Sequence, residues 1–404
     1  MKSLFGSKGD RKDLLITEDM SRRQFLRAGV GLVAVTTGLE LIGGCATTEP
    51  TKVITQSYPP LPYNKIQPPQ EGCLVGFFKE SEAAARLKDS KFIPQGSLEI
   101  EAARKAKNID EYLEMLKKEN FFDKMRTYPI NNEITYVEKS LNAKPFTFVL
   151  LDSMLYFEFP VTESIAVAKK GIVPFVYGHP GPFDLSTPIP GFSPKEIAQG
   201  QHDGYIKRFA QGATDFGKKY GGFFFTTFPE MNGKWFSWGM NSNVIPAWRH
   251  IWQIFEDQGA NQYATWVWEV YPHSVLPPSM VDNPESYYPG DRYVDWIGFT
   301  GISVAGSRYT YGSLDSLIDK TYRQMLKDHP RKPVMLSSFA RTNQKDQSRW
   351  LINAYGSIKN SFQAIKAVIY FDNTWGLTGD HTLNQESLQT LQNIFRDPYW
   401  IMAK

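Results

Sequence analysis

Short apolar runs bounded by turn residues recur along the chain from Gly72 onward: Leu74–Phe78, Phe146–Leu151, Val173–Tyr177, Gly222–Phe228, Ala264–Trp268, Val294–Phe299, Val334–Ser338 and Ala367–Phe371. Apolar runs of this length with turn residues at their ends predict eight strands. Between several of them lie stretches with apolar residues three and four apart: Ile109–Lys118, Thr162–Lys169, Asp203–Lys219, Leu314–Leu326, Gln347–Ile358 and Gln385–Phe395. These spacings predict amphipathic helices. Strands alternating with helices predict an α/β protein built as a (β/α)8 TIM barrel. Two doubly wound domains fit less well, because no Gly-rich phosphate loop follows any run. In such barrels the chemistry sits at the C-terminal ends of the strands and in the loops that follow.

Composition narrows the class. With 404 residues, 42% hydrophobic and 22% charged, the chain is globular and not disordered. Aromatics make up 14% of it, which favours a ring-shaped ligand such as a carbohydrate alongside core filling. Of the formal charge of +3, residues 1–44 carry seven Lys/Arg against five Asp/Glu, leaving 38 against 37. A neutral remainder gives no electrostatic case for nucleic acid. Cys45 and Cys73 allow one disulfide at most. No His/Cys/carboxylate group has metal-ligand spacing and no His, Ser and Asp order argues for a serine hydrolase, so neither metal nor cofactor is expected.

The N-terminus reads as an address. Ser21-Arg22-Arg23-Gln24-Phe25-Leu26 resembles the twin-arginine export signal and precedes a mild apolar stretch, Ala28 to Ile42, too short for a spanning helix. Leu41-Ile42-Gly43-Gly44-Cys45 resembles a lipobox, which implies acylation of Cys45 and leaves Cys73 unpaired. The organisation expected is a signal over 1–44, a Pro-rich tether over 45–70 and a barrel over 71–404. Export by the twin-arginine machinery would leave the protein lipid-anchored in a bacterial cell envelope, on the periplasmic face or the cell surface.

Candidate chemistry gathers at the predicted strand ends. The fourth run leads into Glu230-Met231-Asn232-Gly233-Lys234-Trp235-Phe236-Ser237-Trp238-Gly239. It sets a carboxylate beside indoles that could stack on a sugar. This segment resembles glycoside hydrolase family 26, the family of many β-mannanases. So do Gly200-Gln201-His202-Asp203-Gly204-Tyr205, Tyr287-Tyr288-Pro289-Gly290-Asp291, Tyr293-Val294-Asp295-Trp296-Ile297-Gly298 and Lys332-Pro333-Val334-Met335-Leu336. The resemblance implies an acid/base at the end of the fourth strand, which is Glu230, and a nucleophilic Glu at the end of the seventh, where Ser338 stands. It also implies His, Arg and Tyr at positions held here by Pro229, Thr226 and Ile302.

A retaining glycosidase needs two carboxylates about 5–5.5 Å apart, and an inverting one needs them about 6.5–9.5 Å apart with room for water. A serine hydroxyl cannot form the labile glycosyl ester. Glu269 and Asp372 are the alternative carboxylates by position. Expected ligand contacts are Asn232, Trp235, Trp238, Trp268, Trp375 and His179, although indoles are also core residues and His179 is as well placed to hold a turn. The leading expectation is an exported lipoprotein that binds β-linked polysaccharide, mannan or exopolysaccharide, with hydrolysis lost or reduced. An atypical active β-glycanase and a structural envelope protein that binds other proteins are the rivals.

Overall fold

The computed structural model describes residues 58–79, 102–118, 130–181 and 189–404 apart from 305, 308 and 376–378. Arg22, Arg23 and Cys45 therefore lie outside the described residues. All eight expected runs are strands: β1 (Cys73–Lys79), β2 (Thr147–Met154), β3 (Val173–His179), β4 (Phe223–Thr226), β5 (Ala264–Val270), β6 (Trp296–Ser303), β7 (Val334–Arg341) and β8 (Ile365–Asp372). Each is parallel to the next, and a β1–β8 ladder from Leu74↔Ala367 to Lys79↔Asp372 closes the sheet. The result is a (β/α)8 barrel.

Helices α1 (Ile109–Lys118) and α2 (Ile130–Leu141) join β1 to β2, and α3 (Val161–Lys169) joins β2 to β3. The short α4 (Pro194–Ala198) and then α5 (Asp203–Tyr220) lead into β4, and α6 (Val244–Asp257) follows it. Next come α7 (Leu314–Asp328), α8 (Gln347–Asn360) and α9 (Gln385–Ile394). Among these, α6 is amphipathic but contains Pro246, which reads as a breaker. The proline sits in the first turn, where its missing N–H costs no intrahelical bond, and Trp248, Ile251 and Phe255 bury the inner face. Beyond β8, β9 (Thr374–Trp375) and β10 (Gly379–Asp380) form a small antiparallel pair, and β11 (Trp400–Ile401) adds to β1.

Side chains alternate between barrel interior and helix layer. Phe224 on β4 meets Phe175 on β3 and Trp296 on β6, each at 5.5 Å between ring centres. Trp266 points outward onto Trp248 and Phe255 of α6. Nine of the ten tryptophans are buried, so the aromatic richness of the chain is largely a property of its core.

Residues 58–70 depart from the tether expected over 45–70. Ile66 donates its N–H to Thr265 Oγ1 at 2.8 Å and accepts from Trp296 Nε1 at 3.1 Å, while Asn64 N–H reaches the Gln262 carbonyl at 3.0 Å. Lys65 Nζ contacts both oxygens of Asp295, at 3.0 and 2.8 Å, and both side chains are largely buried. This segment closes the N-terminal end of the barrel and confines any tether to the residues before it. Lys65→Ala should strand a buried carboxylate and destabilise the fold by about 3 kcal/mol. Urea unfolding measures this, and replacing Lys65 by Met together with Asp295→Asn should recover most of the loss.

Candidate active site

The loop after β4 folds back on itself to present Glu230. Phe228 and Glu230 have left-handed backbone angles, φ 48° and 50°, which are costly for side chains of this size and mark a constrained turn. Gly233 N–H closes onto the Glu230 carbonyl at 2.8 Å and Met240 N–H onto Met231 at 2.8 Å. The loop is tight enough that a Cβ on Gly239 would lie 1.8 Å from the Gly233 carbonyl oxygen. The glycines of the Glu-Met-Asn-Gly-x-Trp-Phe-x-Trp-Gly segment therefore serve loop closure.

Glu230 is buried, and both of its oxygens are held. Trp235 Nε1 donates to Oε2 at 2.7 Å, and Thr300 Oγ1 on β6 lies 2.6 Å from Oε1. The Glu230 N–H donates to the Glu269 carbonyl at 3.1 Å, which ties the loop to β5. Glu269 itself points into the barrel, where Tyr177 Oη donates to its Oε2 at 2.7 Å. Burial first, and then the Glu269 and Glu230 carboxylates, hold the Tyr177 phenol well above its ordinary range, so it stays a donor. Neither Tyr177 nor Thr300 was expected at the site. A sequence signal existed for Thr300, the polar residue in Phe299-Thr300-Gly301 within a fully buried strand.

On β7 the register jumps from Phe299↔Leu336 to Thr300↔Ser338, leaving Ser337 as a bulged residue. Gly298, paired with Glu269, makes room for it: a Cβ there would lie 3.1 Å from Ser337 Oγ. The bulge turns Ser338 toward the mouth in register with the residue that holds Glu230, and Ser338 is the part-exposed residue of an otherwise buried strand.

Other expected site residues fall elsewhere. Trp235 is buried with its indole N–H on Glu230, making it a positioning residue for that carboxylate. Trp238 is fully buried, donates to the Pro229 carbonyl at 2.9 Å and stacks on Phe236. Trp268 is fully buried on the outer side of β5 against Tyr288 and His329. Burial of these three rings leaves no open face for a sugar, which corrects the expected platform. Asn232 is also structural. Its Nδ2 donates to the carbonyls of Tyr271 and Asp282 at 2.9 and 3.0 Å, and its Oδ1 accepts from Tyr271 N–H at 2.8 Å.

His179 is fully buried, with Nδ1 on the Gly181 carbonyl, the turn-holding role. Asp372 is buried and engaged by Lys79 at 3.2 Å and Leu383 N–H at 2.9 Å. Burial raises the pKa of Asp372 and the Lys79 charge opposes that shift. The side chain of Trp375 lies outside the described residues. Thr226, Pro229 and Ile302 stand at the ends of β4 and β6, and Thr226 Oγ1 is buried without a hydrogen-bond partner among the described residues. Also among the described residues, no group of three or more His, Cys, Asp or Glu could hold a metal ion, and no helix is long and apolar enough to cross a membrane.

Comparison with known proteins bears on the same residues. The profile of glycosyl hydrolase family 26 matches residues 195–404, just over half of the chain, including Glu230, Glu269 and Ser338. Endoglucanase H of Acetivibrio thermocellus is 30% identical over 192 residues, 44% of this chain. The match spans 20% of that relative's length. Among solved structures, a Cellulomonas fimi endo-β-1,4-mannanase double mutant aligns with TM-score 0.52 at 17% identity, over 66% of this chain and 67% of that one. The family 26 domain of a Prevotella bryantii endo-β-mannanase/endo-β-glucanase aligns with TM-score 0.52 at 11% identity, over 82% and 91%. At such identities the structural likeness shows the barrel fold alone.

Proposed function

The chain belongs to glycosyl hydrolase family 26, and from that premise we propose that it binds β-linked polysaccharide, mannan or exopolysaccharide, at the C-terminal mouth of its barrel and has lost retaining hydrolysis. One observation carries this reading. The β7 residue in register with Thr300, the partner of Glu230, is Ser338, a part-exposed hydroxyl where a carboxylate nucleophile is needed. The retaining route requires an ester-forming carboxylate on the face of the sugar opposite the acid. What remains at the mouth is an acid position rigidly held by Trp235 and Thr300, suited to accepting hydrogen bonds from sugar hydroxyls.

The N-terminal address supports an exported lipoprotein anchored at Cys45, a pseudo-enzyme of the cell envelope. A specific observation also favours the second reading, an active β-glycanase with Glu269 as base. Glu269 shares the mouth with Glu230 and is oriented by Tyr177. Asp372 fits that role less well because Lys79 and the Leu383 N–H already engage it.

Affinity electrophoresis through gels containing β-mannan, β-glucan or the producing cell's exopolysaccharide tests the binding claim. Retardation by at least one of them is expected. Unretarded migration in all of them would favour a protein-binding envelope role instead.

A further inference from the structure

Trp235, Trp238 and Trp268 are buried, so a sugar ring at the mouth calls for an aromatic surface other than theirs. Five large hydrophobic residues are prominently exposed among the described ones: Tyr63, Tyr136, Val161, Tyr311 and Ile352. They are scattered and form no contiguous apolar patch of the kind that docks a protein. Val161 also follows a strand end, and Tyr136 lies under Lys79 of β1 at 5.0 Å, but Tyr311 stands on the side of the mouth that carries Ser338 and Thr300. It lies in the loop between β6 and α7, which places it at the C-terminal face of the barrel, and it is 50% exposed.

Its other face is backed. The Arg341 guanidinium sits 4.1 Å from the Tyr311 ring centre. Arg341 ends β7, three residues beyond Ser338, and is itself buried. Its Nη1 donates to Ser303 Oγ and its Nη2 to Asp346 Oδ2, each at 2.6 Å. Arg341 Nε has no hydrogen-bond partner among the described residues, so stacking under the tyrosine is what completes its surroundings.

The loop is pinned on both sides of the ring. Tyr311 N–H reaches the Ser307 carbonyl at 3.0 Å, and the Gly312 carbonyl accepts from Ser303 Oγ at 3.1 Å and Trp350 Nε1 at 2.8 Å. A flat, amphipathic ring held against a planar cation with one face open loses little freedom on binding.

We propose that Tyr311, backed by Arg341, is a sugar-stacking platform at the rim of the mouth, taking the apolar face of a β-linked pyranose one or more residues along the chain from Glu230. The proposal rests on the glycan-binding reading above and specifies where that binding is read.

The test measures affinity for soluble β-mannan and β-glucan by the same electrophoresis for the full chain and three variants. Tyr311→Ala should weaken binding about tenfold. Tyr311→Phe, which keeps the ring, should bind like the parent. Tyr63→Ala removes a tyrosine that is 69% exposed beside Asn64 at the opposite end of the barrel, and it too should bind like the parent. Unchanged binding by Tyr311→Ala while the parent binds would overturn the platform and leave the glycan reading standing. Equal losses in Tyr311→Ala and Tyr63→Ala would also overturn it, since the effect would not be local. A parent that binds neither polymer would instead sink the glycan reading, for these polymers, on which the platform depends.

Discussion

Replacing Asn232 by alanine is expected to destabilise the barrel by about 3–5 kcal/mol, lowering its melting temperature by about 10 °C. The side chain is fully buried and makes three hydrogen bonds, two to Tyr271 and one to Asp282. Alanine would leave a buried N–H, a buried carbonyl and a part-buried one without their partner, each buried group costing about 1–3 kcal/mol. The damage is local to the site, because Asn232 ties the β4 loop to the segment that follows β5. Chemical denaturation measures the loss. A change within about 0.5 kcal/mol would show that the loop does not depend on this residue and would reopen Asn232 as a sugar contact.

The second large effect concerns chemistry. Ser338→Glu should place a carboxylate at the bulge of β7, opposite Glu230 and toward the open mouth, where Ser338 is already part-exposed. The pair then has the composition of a retaining site: Glu230 protonates the departing oxygen and the new carboxylate forms the glycosyl ester that water cleaves. Retaining hydrolysis of β-mannan or β-glucan should appear in this variant and vanish when Glu230→Gln is added. Its rate should stay low, because Thr226, Pro229 and Ile302 do not supply the Arg, His and Tyr that the family resemblance implies. Anomeric configuration followed by NMR reads the outcome. An inverted product would show that the introduced carboxylate forms no ester, and that it or one of Glu269 and Asp372 acts as base.

The barrel was legible because its strands are short apolar runs with turn residues at their ends, and the structure buries such runs on both faces. The amphipathic helix α6 was not among the expected stretches, and its Pro246 sits in the first turn, where a proline breaks no intrahelical bond. At the site, the place of Glu230 just past the fourth strand was legible in the residues and that of Ser338 on the seventh in the resemblance, whereas the fate of the indoles was not. A Trp at a strand end reads the same whether it faces a ligand, as expected of Trp238, or fills the core, as it does. Which way a ring points is set by loop closure at Gly233 and Gly239 and by hydrogen bonds such as Trp235 to Glu230, and these are long-range facts. Thr300 and Tyr177 escaped for a related reason: their partners come from other strands. The bulge that turns Ser338 to the mouth is a register shift between neighbours, which no single strand encodes.

Binding without hydrolysis is read by incubating the unmodified protein, at high concentration and over long times, with β-mannan, β-glucan and the producing cell's exopolysaccharide, following both reducing-end release and polymer binding. The proposed loss of the nucleophile at Ser338 predicts polymer that is bound and recovered intact, with no turnover above a Glu230→Gln control. Sustained turnover that disappears in Glu230→Gln would contradict it.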